Sequence, residues 1–182
     1  SSFFNDGTGA TLGGSTVNTF ARSAFVGVGS NATGGITLGR QSNPSFLPTI
    51  LFNAYGDSGA YSPLWHATYF GNTGNQMTQL YNDTAWDNSV AYETPSIAGA
   101  KATVVNSRTN GKENNGANVL FFKGDLGVTA YTQRTTVNST GSFQNDIFTT
   151  RGGAAVTGGV GGSYNLKVAK VFATWQKADD NT

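Results

Sequence analysis

The strand-like runs of this chain predict an all-β fold, an antiparallel meander of the kind that forms the wall of a transmembrane β-barrel. Three observations carry that assignment. Short runs show apolar residues at every second position, the period of a strand with two unlike faces. The connections between them are tight, then long, then tight again. Short turns at one rim and long loops at the other describe an outer-membrane barrel, whereas a soluble sandwich has no reason to sort its loops by length. Composition agrees: charged residues make up 12% of the chain, against about 25% in a typical soluble domain. The 12 Phe, 7 Tyr and 3 Trp separate it from disordered chains, which are poor in aromatic residues.

Residues 20–29 and 36–41 form the first pair, joined by the small-residue turn 30–35. Arg22 shares its face with Ala24, Val26 and Val28, while Phe25 stands opposite with Ser23 and Gly27. That pattern calls for a bulge, or for a wall packed on another subunit. Residues 42–85 form one long connection before the strand 88–94, where Val90 and Tyr92 oppose Ser89, Ala91 and Glu93. After the turn 95–99, residues 100–108 set Ala100, Ala102 and Val104 against Lys101, Thr103 and Val105. A polar loop is expected at 109–116, followed by a strand at 117–122 and a turn at 123–125. In the strand 126–135, Leu126, Val128 and Ala130 oppose Thr129, Tyr131 and Gln133. Beyond a polar loop through Thr150, the Gly-rich run 153–163 is atypical, because Gly weakens strand interiors; a strongly bent wall tolerates it. The turn 164–167 leads to 168–177, where Ala169, Val171, Ala173 and Trp175 oppose Lys170, Thr174 and Gln176, with Phe172 out of pattern. The apolar sets are assigned to lipid and the polar sets to a wet interior.

With 182 residues the chain suits a single domain, 1–182. The absence of Cys excludes a disulfide scaffold and thiolate metal sites. No run approaches the ~18 apolar residues of a transmembrane helix, which leaves strands of about 10 half-polar residues as the spanning option. A net charge of +1, with no Lys/Arg run, offers nucleic acid no handle. No signal peptide stands at Ser1, so it is expected to have been removed or the start of the chain to be missing.

Four stretches carry a family resemblance: Phe20-Ala21-Arg22-Ser23-Ala24-Phe25-Val26-Gly27-Val28, Gly35-Ile36-Thr37-Leu38-Gly39-Arg40-Gln41, Asp87-Asn88-Ser89-Val90-Ala91-Tyr92-Glu93-Thr94-Pro95, and Gly161 onward through Tyr164-Asn165-Leu166-Lys167-Val168-Ala169-Lys170-Val171-Phe172. In order and spacing the chain resembles the general porins of beta-proteobacterial outer membranes. That resemblance implies a 16-stranded barrel in a Gram-negative outer membrane, a homotrimer, and a third outer loop folded inward to narrow the pore. Residues 42–85 occupy the position of that constriction loop. The family's strands before Phe20 and its closing strands are absent, and 178–182 reads as the start of an outer loop. About eight strands, roughly half a barrel incomplete at both ends, are therefore expected. Open sheet edges cannot face hydrocarbon, where each unpaired backbone group costs several kcal/mol.

The expected pore-lining residues are Arg22, Arg40, Asp57, Asp83, Glu93 and Lys101. Two guanidinium groups in lipid cost ~2–4 kcal/mol each near the midplane, so Arg22 and Arg40 are expected to point into the lumen. The resemblance makes their wall the basic side of the constriction. The plain alternative is an ion pair that pins the root of the long loop. That loop exceeds the about 12–15 residues usual for a structureless connection. It is rich in rings (Phe46, Phe52, Tyr55, Tyr61, Trp65, Tyr69, Phe70, Tyr81) and holds two acids, Asp57 and Asp83. The rings suit packing on an inner wall. Either acid is expected to face the arginines or, alternatively, to be solvated at the outer rim. Glu93, Lys101 and Lys170 fall on polar faces and are expected to line the lumen away from its narrowest point.

Catalysis finds little support. His66 is the only histidine and lies among aromatic residues; no carboxylate pair has catalytic spacing. Residues 5–9 lack a full calcium-loop pattern, and 158–162 lack the Lys-Ser/Thr of a P-loop. The expected function is passive diffusion of small hydrophilic solutes and ions, weakly selective or anion-preferring, with lipid and identical subunits as partners and no cofactor. The alternative is a Gly/Asn/Thr-rich structural or adhesive surface protein, which predicts a short fixed repeat that the sequence lacks.

Overall fold

Each strand of the main sheet pairs antiparallel with the one before it, and that simple order organises the chain. The computed structural model describes residues 10–12, 15–17, 23–56, 61–62, 84–109, 112–136 and 154–181. β1 (Ala10–Leu12) and β2 (Ser15–Val17) form a separate two-stranded ladder, in the region before Phe20 where no strand is expected. The eight strands that follow are β3 (Ala24–Ser30), β4 (Gly34–Ser42), β5 (Ala85–Glu93), β6 (Ala100–Thr109), β7 (Lys112–Lys123), β8 (Leu126–Thr136), β9 (Ala154–Asn165) and β10 (Lys170–Asn181). They make one sheet in chain order, with β3 and β10 at its edges, not paired to each other. A single helix among the described residues, α1 (Phe46–Leu51), lies in the long connection between β4 and β5. The all-β meander of about eight strands is as the alternation predicts.

Cross-strand register aligns the apolar residues into rows on one face. Val28, Ile36, Tyr92, Val104 and Ala117 are successive partners across β3 to β7. Val119, Ala130, Val160 and Trp175 are successive partners across β7 to β10. These side chains are largely exposed, Val28 at 79% and Trp175 at 62%. The opposite face carries Ser89, Ser107, Asn118, Thr129, Gln133, Thr157 and Ser163, all buried. Apolar outside and polar inside inverts the usual arrangement of a water-soluble domain and fits a wall with lipid on its convex side. In β8 the alternation is strict: Leu126, Val128 and Ala130 are exposed, whereas Thr129, Tyr131 and Gln133 are buried. The faces assigned from the sequence hold in β5, β6 and β8.

Two expected loops are instead strand. Residues 112–116 belong to β7, with Arg108 opposite Glu113, Ser107 opposite Asn114 and Asn106 opposite Asn115. The Asn106 amide also donates to the Glu113 carboxylate at 3.0 Å. Polar side chains there mark a ladder with β6 that continues past the apolar band as far as Lys112. One long-side connection therefore shrinks to residues 110–111, and loop lengths sort less cleanly than expected. Likewise β10 runs on to Asn181, opposite Ala154, where the start of an outer loop was expected.

The Gly-rich β9 has a packing reason. A Cβ on Gly159 would lie 2.9 Å from the Tyr131 ring, and one on Gly161 would lie 3.2 Å from Phe52 Cβ. Missing side chains on β9 thus make room for rings from β8 and from the long connection, the close approach that Gly in a strand often marks.

Candidate functional site

The site begins where β4 and β5 leave the sheet. Between the pairs Gly39–Ser89 and Gln41–Trp86, β4 advances two residues and β5 three, a β-bulge. Asn88 takes up the extra residue at φ +47° and Gly39 sits opposite at φ +131°. Asn tolerates the left-handed region better than most residues, and bulges of this kind re-aim side chains. Here the result is an ion pair, Arg40 Nη1 to Asp87 Oδ1 at 2.8 Å, with the Arg40 side chain 12% exposed. Around it, Ser89 Oγ donates to the Gly39 carbonyl at 2.6 Å and Ser107 Oγ to the Asp87 carbonyl at 2.6 Å. Gln41 Nε2 donates to Ser89 Oγ at 2.9 Å. The Asn43 N–H donates to the Thr84 carbonyl at 3.1 Å and closes the base of the connection.

From that base, residues 43–56 cross the polar face as a strap. Pro48 sits in the first turn of α1, where its missing N–H costs nothing. Two amide side chains from distant strands hold the strap's start. Asn118 Nδ2 on β7 donates to the Pro44 carbonyl at 2.7 Å, and Gln133 Oε1 on β8 accepts from the Ser45 N–H at 3.1 Å. Phe52, fully buried, stacks on Phe122 with ring centroids 5.5 Å apart. Past the helix, Asn53 folds the chain back: its Oδ1 accepts from the Tyr55 N–H at 2.7 Å and its Nδ2 donates to the Gly56 carbonyl at 2.8 Å. The Phe52 ring therefore packs on the inner wall, and Phe46 is also buried, as the aromatic content of the loop suggests.

Of the residues expected to line a lumen, Arg22, Asp57 and Asp83 lie outside the described residues, as does His66. Arg40 is paired with Asp87, an acid of β5 rather than of the long loop. Glu93 and Lys101 pair with each other at 2.5 Å, both about half exposed, near the short-turn rim. Lys170 lies over the Phe172 ring, 5.1 Å from its centroid. Sequence reasoning placed Gln133 on the correct face but did not single it out, and it missed Asp87 and Asn118. The only advance signal is an amide on the polar parity of a long strand.

A family model described as Gram-negative porin matches residues 3–182. Among solved structures, the chain is similar to the anion-selective porin from Comamonas acidovorans, at TM-score 0.64 and 20% identity, over 91% of this chain and 48% of that one. It is also similar to the outer-membrane expressed OmpT of Vibrio cholerae, at TM-score 0.56 and 22% identity, over 90% of this chain and 49% of that one. The chain spans about half the length of these solved relatives. No curated protein sequence matches it. Inverted burial, a meander in chain order and an inward strap meet in a single family: the chain belongs to the Gram-negative porins, and with them to the bacterial outer membrane.

Proposed function

We propose that the chain forms part of the wall of a passive diffusion channel for small hydrophilic solutes and ions, weakly selective or anion-preferring, acting as a homotrimer without a cofactor. The observation that carries this reading is the strap, residues 43–56, seated on the polar face and not on the apolar one. A segment held there narrows the passage that a closed barrel would enclose, and width and wall charge then select what flows. In this reading residues 42–85 are the constriction loop of a 16-stranded barrel.

Wall charge supports the weak or anionic preference. On the polar parity Lys101 is matched by Glu93, and Lys170 lies over the Phe172 ring, so charges of either sign are few. The Comamonas relative is named as anion-selective. Arg22 and Arg40 are proposed as the basic side of the constriction, facing Asp57 or Asp83. Because Arg40 shares its charge with Asp87, Arg22 is the residue expected to carry more of the field.

Reversal potentials across a planar bilayer under a salt gradient test this. Replacing both arginines (Arg22→Gln with Arg40→Gln) is expected to lower the anion-to-cation permeability ratio, more at low salt than at high, because counterions screen the field. An unchanged ratio with the sheet intact removes the arginines from selectivity. A folded, inserted protein that passes no current refutes the channel itself.

A further inference from the structure

The polar face carries a second feature, at the rim of short turns. A pocket of about 550 Å³ lies between the β3–β4 turn and the β5–β6 turn, lined among others by Gly29, Ser30, Gly35, Glu93, Thr94 and Lys101. Glu93 stands two residues beyond the buried Ala91 and opposite Thr103, whose own partner on β7 is the buried Asn118. The pocket therefore opens on the face where the strap is seated, not on the apolar one.

Its floor is bare backbone. Gly29 and Gly35 are partners across β3 and β4, and Gly35 is also the partner of Glu93. Packing requires the first glycine, since a Cβ on Gly29 would lie 2.7 Å from Gly35 Cα. It does not require the second. A Cβ on Gly35 would meet nothing closer than 3.5 Å, and the Gly35 φ is not positive. Glycine inside a strand often marks a place where a ligand approaches the main chain, and here neither the backbone nor a neighbour calls for it.

The walls are braced and carry one charge of each sign. Ser30 Oγ accepts the Thr33 N–H at 3.2 Å, and Thr94 Oγ1 accepts the Ala102 N–H at 3.0 Å. Both turns thus hold their shape before any solute arrives, which lowers the cost of binding. Glu93 Oε1 and Lys101 Nζ, 2.5 Å apart, are the charged groups of the lining. Their side chains are 50% and 46% exposed, so each can turn toward a solute at the small cost of loosening an exposed pair.

We propose that this pocket is a subsite for small zwitterions with an ammonium and a carboxylate on one carbon, the α-amino acids. The solute's ammonium faces Glu93, its carboxylate faces Lys101, and its body lies over Gly35. Four charges then alternate in sign, and each keeps an opposite neighbour. A lone anion meets Lys101 only by bringing a like charge beside Glu93, and a lone cation does the reverse beside Lys101. A neutral solute would loosen the pair without replacing either charge. The proposal rests on the reading of the polar face as the side that solutes reach, but it needs no current. A chain that binds and does not conduct loses the channel and keeps the subsite; one that conducts and does not bind loses the subsite alone.

The test titrates the full folded chain in neutral detergent with glycine, acetate or methylammonium at fixed ionic strength, following the Gly29 and Ser96 amides by nuclear magnetic resonance. Glycine is expected to shift both and to saturate with a Kd on the order of 10–100 mM, the affinity that two exposed ion pairs supply. Acetate and methylammonium are expected to bind more weakly. Glu93→Gln and Lys101→Gln should each weaken glycine about 2- to 5-fold, the ratio that one exposed pair supplies, while Glu93→Gln strengthens acetate. Exchanging the charges (Glu93→Lys with Lys101→Glu) should restore glycine binding, because the solute can invert. Gly35→Val fills the floor without a clash and should abolish the shifts; circular dichroism checks strand content in each variant. The proposal is overturned if glycine moves neither amide in the wild type or binds no better than acetate. It is equally overturned if the single charge variants bind glycine unchanged, if the exchanged pair fails to restore binding with the sheet intact, or if a folded Gly35→Val binds as the wild type does.

Discussion

Gln133→Met removes one acceptor from beneath the strap while keeping similar volume. In the native protein Gln133 Oε1 accepts the Ser45 N–H at 3.1 Å, and Ser45 is wholly buried. Methionine offers that N–H only a weak sulfur acceptor. A buried donor left without an adequate partner costs about 1–3 kcal/mol, a penalty borne only while the strap is seated. The open fraction of the strap is then expected to rise about 5- to 150-fold, the ratio corresponding to that energy. Hydrogen exchange of the folded protein reads this directly, because local opening sets the exchange rate of such amides. Amides of residues 45–52 should exchange faster by that factor, those of Thr49 and Phe52 included, since they bond only within the strap. Ladder amides of β8 should not change, and neither should any strap amide in Val128→Ala, a substitution on the exposed face. Unchanged exchange at Ser45 in Gln133→Met would refute the claim that this side chain pins the strap.

Gly161→Val places a branched side chain where even a Cβ lies 3.2 Å from Phe52 Cβ. Overpacking of about 1–3 kcal/mol is expected to displace the strap and shorten its survival under limited proteolysis, with the sheet retained by circular dichroism. Arg40→Gln, Asp87→Asn and the double variant form a cycle for the ion pair at the base of the connection. With Asp87 46% exposed, a coupling of about 1 kcal/mol or less is expected, shrinking as salt rises; thermal unfolding at two ionic strengths measures it.

The sheet was readable because its two faces meet different solvents. In β8 one face meets lipid and the other the polar interior, so Leu126, Val128 and Ala130 separate from Thr129, Tyr131 and Gln133 by period alone. Residues 112–116 face neither constraint. A paired strand beyond the apolar band uses the same Lys, Glu and Asn as a loop, so composition cannot distinguish them. The Arg40–Asp87 pair was hidden for another reason. It depends on a bulge announced only by Asn88 in a left-handed conformation, and one extra residue changes which acid an arginine meets. The pinning amides were hidden by distance: Asn118 is 74 residues from Pro44, and Gln133 is 88 from Ser45. No local pattern encodes contacts of that separation.

Those separations also impose a timetable. Every hairpin of the meander can close on its neighbour as it emerges, at little loop-closure cost. The strap cannot. Its anchors stand on β7 and β8, so the segment leaving β4 must wait, unseated, while four more strands are added. Seating is therefore a late event of assembly, and in pulse-labelled refolding the Ser45 amide should gain protection after the β3–β4 ladder. The strap is fitted after the strands that anchor it.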